Sequence, residues 1–270
     1  MRRFLQKPSK SSTSLATTLG ILMAALAIAA TLAYKRHNAG TYLHFDTMFG
    51  KARVYQVNDD AGEAVRLLEV GGVVQSGTYL EKRYTELIFD YLKRYDMLFE
   101  LNPTAQRICV LGCGGYDYPE HLIANYPNTV VDAVEIDPAI TAIAKRYFYL
   151  DRLIEEYETE RTGRLNLICS DALAHLESEG CRYDAIVNDT FDAGKPPKHL
   201  TTSTFARAVK SRLAPGGVYL TNIVSALEGP DARFLHEQVA LLESIFETVE
   251  VLPCDRDSVN VQDNVIVIAG

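Results

Sequence analysis

Residues 107–138 read RICVLGCGGYDYPEHLIANYPNTVVDAVEIDP. Ile108, Cys109, Val110 and Leu111 form a short apolar run, the pattern of a strand buried in a parallel sheet. Gly112, Gly114 and Gly115 follow at once, and a helical segment opens near Pro119, a residue suited to a first helical turn. A second apolar run, Val130 to Ile136, ends on the acids Glu135 and Asp137. Strand, glycine turn, helix, and strand with a terminal acid make the unit that holds a nucleoside at the carboxyl edge of a doubly wound sheet. Gly112 and Gly114 let the backbone approach such a ligand, while Glu135 is placed to accept hydrogen bonds from ribose hydroxyls. The pattern is G-x-G-G and lacks the third glycine of the dinucleotide fingerprint. It favours an adenosyl group without a pyrophosphate, hence an S-adenosyl sulfonium rather than NAD. A bare glycine turn in an unrelated α/β protein is the alternative.

Outward from this unit the alternation continues. Ala139 to Phe148, Ala172 to Leu176, Thr202 to Leu213 and Asp231 to Phe246 read as helices. Leu165 to Cys169, Tyr183 to Asp189, Val218 to Val224, Val249 to Leu252 and Val259 to Ile268 read as strands. Alternating units of this kind predict a mostly parallel sheet covered on both faces, with the late pair of strands adding an antiparallel edge. Upstream, residues 41–77 read as short strands around turns at 59–62 and at Gly71-Gly72. Tyr79 to Leu101 carries apolar residues at helical spacing up to the break at Asn102-Pro103. Residues 15–34 hold no charge and are long enough for a helix across a bilayer, an uncleaved anchor being preferred to a cleaved signal. Four parts are thus expected: a basic tail over 1–14, a transmembrane helix or signal anchor over 15–34, a small β segment with a linking helix over 41–101, and a nucleoside-binding catalytic domain over 102–270. The fold class is α/β: a Rossmann-like, doubly wound, mostly parallel sheet of the S-adenosylmethionine-dependent methyltransferase kind.

The chain has 270 residues and a net charge of −8, with no basic run beyond the first 40 residues, so nucleic acid is not an expected partner. An acidic protein suits a cationic ligand such as a polyamine. The five cysteines include no C-x-x-C pair, and the six histidines show no metal spacing. No metal and no permanently bound cofactor are expected. Odd cysteines on interior strands suggest reduced thiols and a cytosolic face. Adenosyl sulfoniums are made in the cytosol. The chain therefore reads as single-pass and membrane-anchored through 15–34, with its catalytic domain cytoplasmic.

Three strands end in acids: Glu135 with Asp137, then Asp171, then Asp189 with Asp192 just beyond. Carboxyl ends of parallel strands share one edge, so these groups are expected in one cleft. Asp171 suits an adenine amino group or a helix N-cap. Asp189, ahead of the turn-rich loop DTFDAGKPPKHL, is the candidate for chemistry. A carboxylate there can orient an amine and take its proton, once burial brings the two pKa values together. A purely structural carboxylate that holds the loop is the alternative.

The segments GGVVQSGTYLEKRYTE, VLGCGG, VEIDP, SDA at 170–172, YDAIVNDTFD and LAPGGVYLTN together resemble the spermidine synthase (polyamine aminopropyltransferase) family over roughly residues 45–268, and its membrane-linked branch in particular. The resemblance implies that Gln75 contacts the methionine-derived part of the donor, with Glu135 on ribose and Asp171 on adenine. It implies Tyr84 as the acceptor-site tyrosine, Asp189 as the catalytic aspartate and Asp192 as its amine-binding companion. Decarboxylated S-adenosylmethionine (or S-adenosylmethionine itself) is then a co-substrate, a small amine such as putrescine the acceptor, and a homodimer is possible by analogy. The acceptor side departs from the family: Gly115 stands where an Asp usually grips the amine, and Asp117 follows two residues later. Three readings stay open: an aminopropyltransferase, a methyltransferase that would need space or a positive partner, such as Lys82 or Arg83, for the donor carboxylate, and a membrane-tethered nucleoside-binding protein without activity.

Overall fold

The computed structural model describes residues 42–191, 196–254 and 259–270. Four strands open the described chain: β1 (Leu43–Thr47), β2 (Gly50–Asn58), β3 (Ala64–Val70) and β4 (Val73–Tyr79). They form an antiparallel meander in the order β1-β2-β3-β4. The β3–β4 turn is Gly71-Gly72, both at positive φ (58° and 90°), which suits a tight two-residue hairpin. Between β3 and β4 the register slips: Leu68 faces Ser76 while Glu69 faces Val74. Gln75 is therefore the extra residue of a β-bulge.

The larger sheet has seven strands in the order β10-β11-β9-β8-β5-β6-β7. Its members are β5 (Arg107–Leu111), β6 (Val130–Glu135), β7 (Leu165–Cys169), β8 (Tyr183–Asn188), β9 (Leu213–Ser225), β10 (Val249–Pro253) and β11 (Asp263–Ala269). Strands β7, β6, β5, β8 and β9 run parallel, and β11 and β10 close one edge antiparallel. Strand order reverses direction between β5 and β8, the switch point where this architecture opens a crevice. Strand β5 is buried on both faces: Ile108 and Val110 join one apolar cluster, Cys109 and Leu111 the other. The first cluster also takes Val54, Leu68 and Val70 from the small sheet, so one core runs under both sheets. Asp137 fastens them further. Its Oδ1 caps the helix Pro138–Tyr147 by accepting from Ala139 N–H (2.8 Å), and its Oδ2 accepts from Met48 N–H (2.6 Å).

The mixed sheet is the mostly parallel sheet with an antiparallel edge expected from the sequence. The fold class is corrected on one point: among the described residues no helix is long and apolar enough to cross a membrane; the longest, Arg233–Glu243, has 11 residues where a span needs about 20. The expected tail 1–14 and span 15–34 lie outside the described residues. The transmembrane helix and the single-pass, membrane-anchored placement with a cytoplasmic catalytic domain therefore find no support among the described residues. A smaller correction concerns 79–101, expected as one helix. The chain there breaks into a 3-10 turn (Glu81–Arg83) and two short helices, Asp90–Arg94 and Met97–Leu101. Leu87 bridges to Thr78, whose hydroxyl donates to Tyr84 C=O, and this pulls the middle of the segment off the helical path.

Candidate active site

Two hollows, of about 320 and 390 Å³, open at the carboxyl edge of the large sheet and share Gln75, Gly112, Cys113, Gly114, Asp189 and Phe191 in their walls. The larger is lined also by Glu135, Ile136, Asp171, His199 and Leu200. The smaller is lined by Tyr91, Tyr95, Asp117, Tyr118, Asn222 and Asn264. Of the residues singled out in the sequence, Gln75, Gly112, Gly114, Glu135, Asp171 and Asp189 thus come together. Asp192 lies outside the described residues.

Each is delivered by its element. The bulge turns Gln75 to the rim both hollows share, the re-aiming that bulges beside binding sites perform. Gly112 sits at φ 77° where β5 and β8 end side by side; a Cβ there would lie 2.7 Å from Asp189 O. Only glycine allows that approach. Glu135 reaches back under the glycine turn, accepting from Cys113 N–H (3.0 Å) and Asp137 N–H (2.9 Å). Burial raises its pKa, and those backbone donors offset part of the rise. Asp171 caps the helix Ala172–Glu177 through Ala174 N–H (3.0 Å), and its other oxygen lies 2.7 Å from His199 Nε2. Burial alone would raise the Asp171 pKa, but the Ala174 N–H and His199 together hold it below the ordinary carboxylate value.

Asp189 follows β8, with its backbone N–H donating to Leu111 O (2.8 Å). Asn222 Nδ2 donates to its Oδ1 (3.0 Å) and the Tyr91 hydroxyl to its Oδ2 (3.1 Å). The buried Tyr95 hydroxyl falls outside strict hydrogen-bond geometry but stands near enough to Asp189 to interact with its carboxylate. Burial raises the Asp189 pKa, and Asn222, Tyr91 and Tyr95 work against that rise. The result is an oriented carboxylate on the partition between two hollows, suited to take a proton from a cationic or amine ligand.

Tyr84 is not brought to this place. It is buried away from both hollows, its hydroxyl donating to Glu156 Oε2 (3.1 Å) and its ring tilted against Tyr149 and under Arg152. Tyr91 holds the tyrosine position beside Asp189 instead. Sequence reasoning also missed Tyr95, Asn222 and His199 as lining residues. Asn222 had a signal: it is a polar residue inside the apolar run Val218–Val224 of β9. Tyr91 had none that separated it from Tyr84, seven residues earlier on the same helical stripe.

The profile of the spermine/spermidine synthase domain matches residues 82–249. The polyamine aminopropyltransferase of Vibrio vulnificus is 31% identical over 179 residues, covering 65% of this chain and 55% of that protein. The human eEF1A lysine and N-terminal methyltransferase is 29% identical over 184 residues, covering 60% of this chain and 24% of that protein. The chain thus spans about half the length of the first of these relatives and a quarter of the second. Among solved structures, a probable spermidine synthase from Corynebacterium glutamicum superposes with a TM-score of 0.70 at 22% identity, over 86% of this chain and 80% of that one. A spermidine synthase in complex with the transition-state analogue AdoDATO does so at 0.59 and 15%, over 86% of this chain and 72% of that one. At these identities the structural likeness establishes the fold.

Proposed function

The chain belongs to the spermine/spermidine synthase domain family, and from that premise we propose that it moves an aminopropyl group from decarboxylated S-adenosylmethionine to an amine such as putrescine. The observation that carries this reading is the position of Asp189 on the wall common to both hollows. The larger hollow takes the nucleoside, with Glu135 and the turn Gly112–Gly114 at the ribose, Asp171 at the adenine and Gln75 at the sulfonium arm. The smaller takes the acceptor amine against Asp189 and Tyr91. The amine lone pair forms a bond to the propyl carbon beside the sulfonium. The carbon–sulfur bond breaks with its electrons going to sulfur, which leaves neutral 5′-methylthioadenosine, and the amine proton passes to Asp189. Burial brings the Asp189 pKa towards that of the amine, as efficient proton transfer requires. Holding amine and carbon in line supplies much of the remaining acceleration.

The human relative's name brings in a methyltransferase reading, which needs space or a cation for the donor carboxylate. Neither Lys82 nor Arg83 lines either hollow. Arg83 is engaged by Glu63 and Glu86 and lies over the Tyr79 ring. Among the described residues the smaller hollow is lined by two carboxylates and no cation, whereas Lys198 and His199 line the larger one; a decarboxylated donor needs neither.

The test is to incubate the protein with each sulfonium donor and a panel of amines and to follow products by mass spectrometry. Aminopropylated amine and 5′-methylthioadenosine are expected, and Asp189→Asn should lower kcat/KM at least about 100-fold. Methylated product from intact S-adenosylmethionine, or near wild-type turnover in the variant, would overturn the reading.

A further inference from the structure

The Asp171 end of the larger hollow carries a side chain that the transfer step does not use. His199 belongs to the short 3-10 turn Lys198–Thr201 and lines the hollow beside Asp171, its Nε2 lying 2.7 Å from Asp171 Oδ2. The turn is firmly held. Leu200 is buried and its N–H donates to Pro197 O (2.9 Å), while the Thr202 hydroxyl donates to His199 O (2.9 Å). The carboxylate is fixed as well, with Ala174 N–H on Oδ1 and the imidazole on Oδ2. Because Asp171 is held below the ordinary carboxylate range, it meets His199 as an ionised group that can only accept. The proton of a neutral imidazole in this pair therefore sits on Nε2, and Nδ1 is left as an acceptor. No donor to that Nδ1 is found among the described residues.

We propose that His199 is a specificity-determining residue for the donor's base, presenting Nδ1 beside the Asp171 carboxylate as a second acceptor for the 6-amino group of adenine. This rests on the reading that puts adenine at Asp171, but not on aminopropyl transfer. An amino group carries two N–H donors, and the carboxylate with the imidazole offers an acceptor for each. A carboxylate alone would take one and leave the other to water. A 6-oxo purine turns a carbonyl oxygen towards the same two acceptors, where no donor meets it, and is disfavoured. A purely structural His199, one that only ties its turn to the helix Ala172–Glu177, would support both kinds of nucleoside equally.

That difference sets the experiment. Binding of 5′-methylthioadenosine and of its 6-oxo counterpart, 5′-methylthioinosine, to the full chain is measured by calorimetry for wild type, His199→Phe and His199→Gln, alongside turnover with decarboxylated S-adenosylmethionine and 1,4-diaminobutane. Phenylalanine keeps a ring in the wall but neither donates nor accepts, whereas glutamine keeps one donor and one acceptor on a chain of similar reach. The wild type is expected to prefer the amino nucleoside by at least about tenfold, a modest part of what a site built around a substrate N–H can reach. His199→Phe should shrink that ratio at least about fivefold, and His199→Gln should hold it within about twofold of wild type. A ratio that survives in His199→Phe, a ratio lost equally in His199→Gln, or a wild type that binds both nucleosides alike would each overturn the proposal. A wild type that binds neither nucleoside would overturn it together with the reading of the larger hollow. A preference that depends on His199 in a protein that transfers nothing would support the base site and sink the proposed reaction.

Discussion

Asp117 is a half-buried carboxylate in the wall of the smaller hollow, and desolvation pushes its pKa up to about 7 despite hydrogen bonds from Ser76 and Gly77. In the unfolded chain the same group titrates near 4. Between those values the folded protein holds a proton that the unfolded chain has released, so rising pH favours unfolding across that window. Below about pH 4 both states are protonated and the contribution to stability is complete; above about pH 7 it is gone, a loss on the order of 4 kcal/mol at most. Asp117→Asn mimics the protonated acid at every pH and escapes the loss. Its melting temperature without amine should stay close to wild type at pH 4 and exceed it by several degrees at pH 8; an equal difference at both pH values would refute the assignment. At this scale the sequence was legible where topology alone places a residue. Glu135, Asp171 and Asp189 follow strands that share an edge, so they had to meet. Asp117 and Tyr91 were not legible as site residues, because their facing depends on how a turn and a broken helix pack.

The bulge in β4 is the element on which the two hollows depend. Without the extra residue, β3 and β4 would pair in unbroken register and the wall would lose Gln75, the β4 residue that lines both hollows. Deleting Gln75 joins Val74 to Ser76 and leaves each facing its present partner, Glu69 or Leu68. The deletion should therefore cost stability little, about 1–2 kcal/mol, while 5′-methylthioadenosine binding falls at least tenfold as the shared wall opens. Thermal melting and calorimetry on the deletion variant check both halves; unchanged binding would show that the bulge is incidental. The turn glycines and the strands around Gln75 were readable, but the slip was not, since bulges leave the alternation of side chains nearly intact on a strand this short. The reverse error occurred at 79–101, where apolar residues at helical spacing proved to be buried through a bridge at Leu87 rather than along a continuous helix.

For the whole molecule, the question is whether the small sheet is an appendage. The sequence suggests a division near 101/102, where Asn102-Pro103 interrupts the apolar pattern. The contacts run across that line. Val54, Leu68 and Val70 share an apolar cluster with Ile108, Val110 and Phe148. Arg66 donates to Tyr147 O, Met48 N–H to Asp137, and the Ser76 hydroxyl to Asp117, while Gly115 N–H donates back to Ser76 Oγ (2.9 Å). Order along the chain is visible in alternating strands and helices, whereas which parts share a core is a matter of long-range packing that no local pattern records. We expect residues 42–270 to melt in one cooperative step. Residues 102–270 alone would leave one face of that cluster in water and the hollows without Gln75 and Ser76. They should therefore show no sharp transition and no measurable nucleoside binding. Should the shorter piece melt sharply and bind 5′-methylthioadenosine within about threefold of the longer one, the large sheet is self-sufficient. The acceptor wall would then have to be built from Asp117, Asp189 and Asn222, without Tyr91 or the small sheet.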